Sequence, residues 1–152
     1  MRLKRLGHVF LVVSDAQRAK DFYTRVLGFE IIEEDPAHGG VFMALPDGGH
    51  VLDLVGIGGE APPVPRAIEE IRPRHGVGHV AFEVEDKAAF AASVAELKAK
   101  GVHILATTDH ASQESVYFCD PDGNVLEIYW ERPDARAMFA AGREDKDSPL
   151  DA

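Results

Sequence analysis

Apolar residues run through LGHVFLVV, Leu6 to Val13, with the alternation of a strand. His8, Phe10 and Val12 fall on one face and Val9, Leu11 and Val13 on the other. The period then changes, and Ala19, Phe22, Tyr23, Val26 and Leu27 recur at helical spacing. Ser14, with Gln17 three residues on, has the spacing of a capping box. Gly28 marks the helix stop. FEIIEE, VFMAL and HVLDLV follow as strands, the last two separated by a Pro46-Asp47-Gly48 turn.

The whole order then repeats. Leu6-Gly7-His8-Val9 returns as Val77-Gly78-His79-Val80, followed by a strand, AFEV, on which His79, Ala81 and Glu83 share a face. Asp86 can cap a second helix with the stripe Phe90, Val94 and Leu97, and Gly101 stops it. VHILAT, VYFC and NVLEIYW complete the copy, with a turn at Pro121-Asp122-Gly123. The chain therefore reads as α+β: two tandem βαβββ modules at about 4–58 and 75–131, expected to pair into a curved sheet. Residues 59–74 form a Gly/Pro-rich linker with one short helix near Arg66 to Ile71. Residues 132–152 begin with a helix over DARAMFAAG and end in REDKDSPLDA, an acidic tail with the composition of disorder. At 152 residues a single domain is expected.

Composition narrows the function classes. Apolar content of 45% and charged content of 28% are those of an ordinary globular domain. A net charge of −10 argues against a nucleic-acid backbone as partner. The one cysteine, Cys119, excludes an intramolecular disulfide and reads as a small buried apolar residue. RLKRLGHVFLVV has the basic-then-apolar order of a leader, but its apolar part is short, holds His8 and lacks a cleavage site. No run has the length of a membrane span. The expectation is a soluble, cytoplasmic protein with no membrane partner, and an exposed sheet edge predicts a homo-oligomer, a dimer or larger.

Glu127 stands out against this background. It lies within NVLEIYW, flanked by Val125, Leu126, Ile128 and Tyr129, where a carboxylate is costly unless its charge is compensated. Its counterpart in the first module is Asp53, after allowing a one-residue gap behind the turn. His8 and His79 occupy a second repeat-equivalent position. A lone histidine is more often a satisfied core residue, but two histidines and two carboxylates at matched positions form a specific pattern. Two neutral imidazoles and a carboxylate, His8, His79 and Glu127, suit a divalent transition metal, and as a facial triad they suit Fe(II).

The segment from His110 to Glu127 carries a longer motif. It runs His110, five residues, Val116-Tyr117, two residues, Asp120-Pro121-x-Gly123, three residues, Glu127. With the paired modules, it resembles the vicinal oxygen chelate (glyoxalase/bleomycin resistance/dioxygenase) superfamily, up to about residue 131. Within that superfamily the motif is most similar to the type I extradiol ring-cleavage dioxygenases, many of which carry two further modules. The resemblance implies cleavage of a catechol-type aromatic ring with O2 at iron held by His8, His79 and Glu127. Mn(II) is accepted by the same donors. It also implies an acid–base role for His50, in PDGGHVLDLVG, and substrate- and oxygen-orienting roles for His110 and Tyr117. Arg74 and His75 match no motif, and His38 and His103 read as structural.

Other readings share this fold. A glyoxalase I-like lyase or isomerase would use His8, Asp53, His79 and Glu127 together on Ni(II), Co(II) or Zn(II). A thiol transferase or epimerase has less motif support. A metal-free drug-binding resistance protein would have no need of two histidines and a glutamate in register.

Overall fold

The computed structural model describes residues 1–46, 48–72, 75–142 and 146–150. The chain forms two compact units, Met1–Pro63 and Val64–Ala152, so the boundary falls inside the expected linker. In the first unit β1 (Val9–Val13) leads into α1 (Ala16–Arg25), then β2 (Glu30–Asp35), β3 (Gly40–Ala44) and β4 (His50–Gly56). The sheet order is β1-β4-β3-β2, with β1 parallel to β4 and the other pairs antiparallel. The second unit repeats this with β5 (Val80–Glu83), α2 (Lys87–Ala99), β6 (Ile104–Asp109), β7 (Gln113–Cys119) and β8 (Val125–Glu131). Its sheet order is β5-β8-β7-β6-β9, with β9 at Ser148–Pro149 and β5 parallel to β8. The linker helix is one 3-10 turn, Ile68–Glu70, and α3 (Ala135–Ala141) follows β8.

Alternation sorts each sheet into two faces. In the first unit Leu52 and Leu54 of β4 are buried with Ala19 and Tyr23 of α1. Tyr23 is fully buried and meets Phe22 and Phe29 edge-on, at 5.4 and 5.8 Å between ring centroids. In the second unit Leu126 and Ile128 of β8 are buried, as are Phe90, Val94 and Leu97 of α2. The strand residues between them face the other way: Asp53 lies beside Phe10 of β1, and Glu127 beside Ala81 of β5. Both carboxylates thus occupy the sheet face opposite the helix.

The one-residue gap between the copies is a β-bulge. Met43 pairs with Leu52 but Ala44 pairs with His50, so Val51 is the extra residue. Phe118–Leu126 and Cys119–Val125 pair without interruption in the second unit. A bulge changes the direction of the side chains beside it, and here it turns His50 toward Asp53.

Helix ends agree with the expectation except at one cap. Asp15, not Ser14, caps α1: its Oδ1 accepts from the backbone N–H of Gln17 (2.9 Å) and Arg18 (3.1 Å). A carboxylate accepts both bonds and favours the positive end of the helix dipole. Ser14 instead accepts from the Arg18 guanidinium at 2.9 Å. Asp86 caps α2 as expected, and Gly28 and Gly101 take left-handed φ values of 74° and 73° behind the helices. Gly56 has a different reason to be glycine. A Cβ there would lie 2.9 Å from the Ala16 backbone nitrogen, so Gly56→Ala is expected to cost about 1–3 kcal/mol through overpacking. A urea titration that left the unfolding midpoint unchanged would show that α1 can yield.

The expectation of a disordered tail is corrected for residues 147–150. β9 (Ser148–Pro149) pairs antiparallel with Thr108 and Asp109 of β6. The Leu150 N–H donates to the Thr107 carbonyl (3.1 Å), and the Thr107 hydroxyl donates to the Leu150 carbonyl (3.0 Å). An open strand edge offers a row of unpaired backbone groups, and the tail fills part of it. The rest of the tail at 143–145 and 151–152, the turn residue Asp47 and Arg74 lie outside the described residues. Among the described residues no helix is long and apolar enough to cross a membrane.

Candidate metal centre and its hydrogen-bonded surroundings

In the second unit Glu127 is 2% exposed. Its Oε2 lies 2.9 Å from His79 Nε2. Its Oε1 accepts from Gln113 Nε2 (3.0 Å) and from the Tyr117 hydroxyl (3.2 Å). Behind Tyr117, the hydroxyl oxygen lies 2.9 Å from His110 Nε2, and His110 Nδ1 lies 2.7 Å from Asp147 Oδ1. Burial, and next the charge of Glu127, push the Tyr117 phenol up to about 12. It therefore stays protonated and able to donate. The cysteine beside this row matches its expectation: Cys119 is buried, and burial pushes its thiol up to about 11.

The motif's acidic turn sets this register. Asp120 is fully buried and accepts at Oδ1 from the backbone N–H of Asp122 and Asn124, both at 2.9 Å. Gly123 completes the turn at φ 79°. The hairpin so fixed puts Tyr117 directly across from Glu127.

A second device holds the β6–β7 turn at residues 109–113. Ala111 has a left-handed φ of 63°, which a non-glycine residue keeps only when its surroundings hold it there. Arg132 does this. Its guanidinium grips Asp109 with two bonds, 2.9 and 3.0 Å, and also bonds the Ala111 carbonyl and Glu114 Oε1 (3.0 Å). Its backbone N–H donates to the Ser112 carbonyl at 2.8 Å. Lys87 Nζ reaches Glu114 Oε1 at 2.6 Å. The Arg132 bonds hold the Asp109 carboxyl below the usual carboxylate range.

In the first unit His8 Nε2 lies 3.4 Å from Asp53 Oδ2, and His50 Nε2 bonds Asp53 Oδ1. The two imidazoles stack, with centroids 4.7 Å apart and planes 21° apart. Donor atoms of His8, His50 and Asp53 all fall within 4.8 Å of one another. Asp53, which the resemblance leaves out of the iron ligand set, is thus brought together with His8, the expected ligand, and His50, the expected acid–base residue. His8 is placed within the first unit, and His79, Glu127, His110 and Tyr117 within the second.

The donor chemistry fits a divalent transition metal. Among the described residues the ion-pair partners of Asp53 and Glu127 are imidazoles. A neutral imidazole leaves a buried carboxylate uncompensated, and the pair of them is a ligand set for a first-row metal. Gln113, Asp147 and Arg132 were absent from the sequence-derived site. Gln113 was within reach of it, since alternation puts residues 113, 115 and 117 on one face of β7.

Comparison with known proteins identifies the lineage. Residues 5–128 match the Glyoxalase/Bleomycin resistance protein/Dioxygenase superfamily. A catechol-2,3-dioxygenase of Bacillus subtilis (strain 168) is 30% identical over 139 residues, 91% of this chain; the chain spans 45% of that protein's length. A biphenyl-2,3-diol 1,2-dioxygenase of Rhodococcus globerulus is 27% identical over 150 residues, 96% of this chain and 74% of its own. The crystal structure of a glyoxalase/dioxygenase from Nostoc punctiforme superposes with a TM-score of 0.68 at 26% identity, covering 85% of this chain and 92% of that one. With the repeat, the two mixed sheets and a family match running through both units, the chain belongs to the glyoxalase/bleomycin resistance protein/dioxygenase superfamily.

Proposed function

We propose that the protein is an extradiol dioxygenase that opens a catechol-type ring with O2, using Fe(II), or Mn(II), ligated by His8, His79 and Glu127. The observation that supports it most is the hydrogen-bonded row from His110 through Tyr117 to Glu127, at the dioxygenase motif's spacing. The two relatives named for ring-diol dioxygenase activity point the same way. When bound, the metal would supply chelation of two adjacent ring oxygens and electron exchange with O2.

The chain's own groups supply orientation and proton transfer. Gln113 and Tyr117 occupy Glu127 Oε1, which leaves Oε2 on the side of His79. Tyr117 and His110 present a hydroxyl and an imidazole that orient bound oxygens. His50 is the proton acceptor. With Nε2–H donating to Asp53, its Nδ1 lone pair is free to take a catechol proton, and the carboxylate stabilises the imidazolium that forms. His50→Phe is expected to lower kcat by about 10²–10³-fold while leaving metal content unchanged. An unaltered kcat would remove His50 from the mechanism.

The deciding experiment is anaerobic loading with Fe(II), followed by air and a panel of catechols. Stoichiometric oxygen uptake with a yellow ring-fission product supports the reading. Bound iron with no uptake for any catechol defeats it. One observation favours a second reading, a glyoxalase I-like lyase: each unit sets the histidine just before its first strand against a carboxylate on the strand parallel to it, His8–Asp53 at 3.4 Å and His79–Glu127 at 2.9 Å. Turnover of the methylglyoxal–glutathione hemithioacetal with Ni(II) or Zn(II) would identify it.

A further inference from the structure

We propose that Asp147, brought in by the C-terminal strand, is a positioning residue that fixes a proton on His110 Nδ1 and so determines what His110 Nε2 offers to Tyr117. The catalytic meaning of this role rests on the dioxygenase reading; the contact itself does not.

The placement is built by the backbone. Ser148 pairs with Asp109, the residue before His110, and Leu150 is bonded in both directions to Thr107. Asp147, one residue before β9, is thereby set beside the imidazole, with Oδ1 2.7 Å from Nδ1. An ionised carboxylate only accepts hydrogen bonds, so this contact requires a proton on Nδ1. In the neutral ring, Nε2 then carries a lone pair aimed at the Tyr117 hydroxyl 2.9 Å away, and competes for its one hydrogen with Glu127 Oε1 at 3.2 Å. Without the carboxylate, imidazole reverts to its commoner Nε2–H tautomer. His110 then becomes a donor to Tyr117, and the tyrosine proton is left to Glu127 alone. One tail residue thus chooses between two hydrogen-bond directions along the same row. The aspartate side chain is 41% exposed, so its ion pair adds little to stability and substitution should leave the fold intact.

The test is long-range ¹H–¹⁵N correlation on the full chain labelled at histidine, with His110 assigned by a His110→Gln variant. The wild-type chain should show His110 protonated at Nδ1. Asp147→Asn, whose amide oxygen still accepts, should keep that pattern, and Asp147→Ala should move the proton to Nε2. Identical His110 patterns in wild type and Asp147→Ala would overturn the proposal. In the Fe(II)-loaded chain Asp147→Ala should lower kcat about tenfold with KM for catechol unchanged and Asp147→Asn close to wild type. An undiminished kcat would overturn the positioning role. If no chain consumes oxygen, the dioxygenase reading fails, while the nitrogen spectra still decide the contact.

Discussion

Replacing Glu127 with glutamine should all but abolish metal binding and ring cleavage while leaving the metal-free fold as stable as before, or more so. The two halves of this expectation have one cause. Glu127 is 2% exposed, and the groups around it are an imidazole, an amide and a phenol, none of which brings a full positive charge when neutral. An uncompensated carboxylate in such a place is a cost to folding. The same feature would suit it to be a metal donor. Glutamine keeps the shape but turns one oxygen into a donor, which must face either His79 or the two hydrogens already directed at Oε1. Affinity should fall by more than about 100-fold, the upper end of the loss when a partner that merely orients a ligand is removed. Co(II) absorption titrations would measure that loss, and thermal unfolding of the metal-free chain would measure the other half. A variant that bound metal normally would take Glu127 out of the ligand set. A large fall in Tm would mean that the carboxylate is structural.

Why the sheet could be read from the sequence and part of the site could not follows from the range of the interactions involved. Strand alternation and helix caps are local, and the repeat supplied each element twice, so β4 was expected over HVLDLV and stands at His50–Gly56. The gap between the turn and Asp53 was visible as a count. Its consequence, a bulge that turns His50 onto Asp53, depends on the register against β3. The strand β7 begins at Gln113, three residues before the apolar run that announced it. Glu114 and Ser115 are polar yet buried, and the charges that make burial tolerable for Glu114 come from Lys87 and Arg132, distant in sequence. For β9 the tail's own composition gave no signal. Its pairing is decided by the open edge of β6, and Asp147 reaches His110 only because of that pairing.

Arg132→Ala should be the most destabilising of the surface-accessible changes, at about 2–3 kcal/mol. Breaking a fully buried ion pair by deleting one partner costs roughly 3–5 kcal/mol. The guanidinium here is 24% exposed and Lys87 still serves Glu114, which lowers the figure. What remains is an Asp109 carboxylate stripped of both its guanidinium bonds and left with the Ala111 N–H at 2.8 Å, a Glu114 with one cation in place of two, and an Ala111 backbone at φ 63° with one tie fewer. Arg132→Lys should recover only part of the loss, because an ammonium cannot match the two-bond grip on Asp109. The pH dependence has a definite sign. The Asp109 carboxyl lies lower in the folded chain than its ordinary value, so its contribution is present above the unfolded pKa of about 3.9 and is lost as pH falls through the lower folded value. The stability gap between wild type and Arg132→Ala should therefore be constant through neutrality and narrow only in acid. Because the turn that Arg132 fastens carries His110 and Gln113, the variant should also lose oxygen uptake at temperatures where it is still folded. Urea titrations at neutral and acid pH, with uptake measured well below the transition, separate the two effects. A gap that stayed the same in acid would mean that the stabilisation comes from the guanidinium's tie to the Ala111 carbonyl and not from the Asp109 pair.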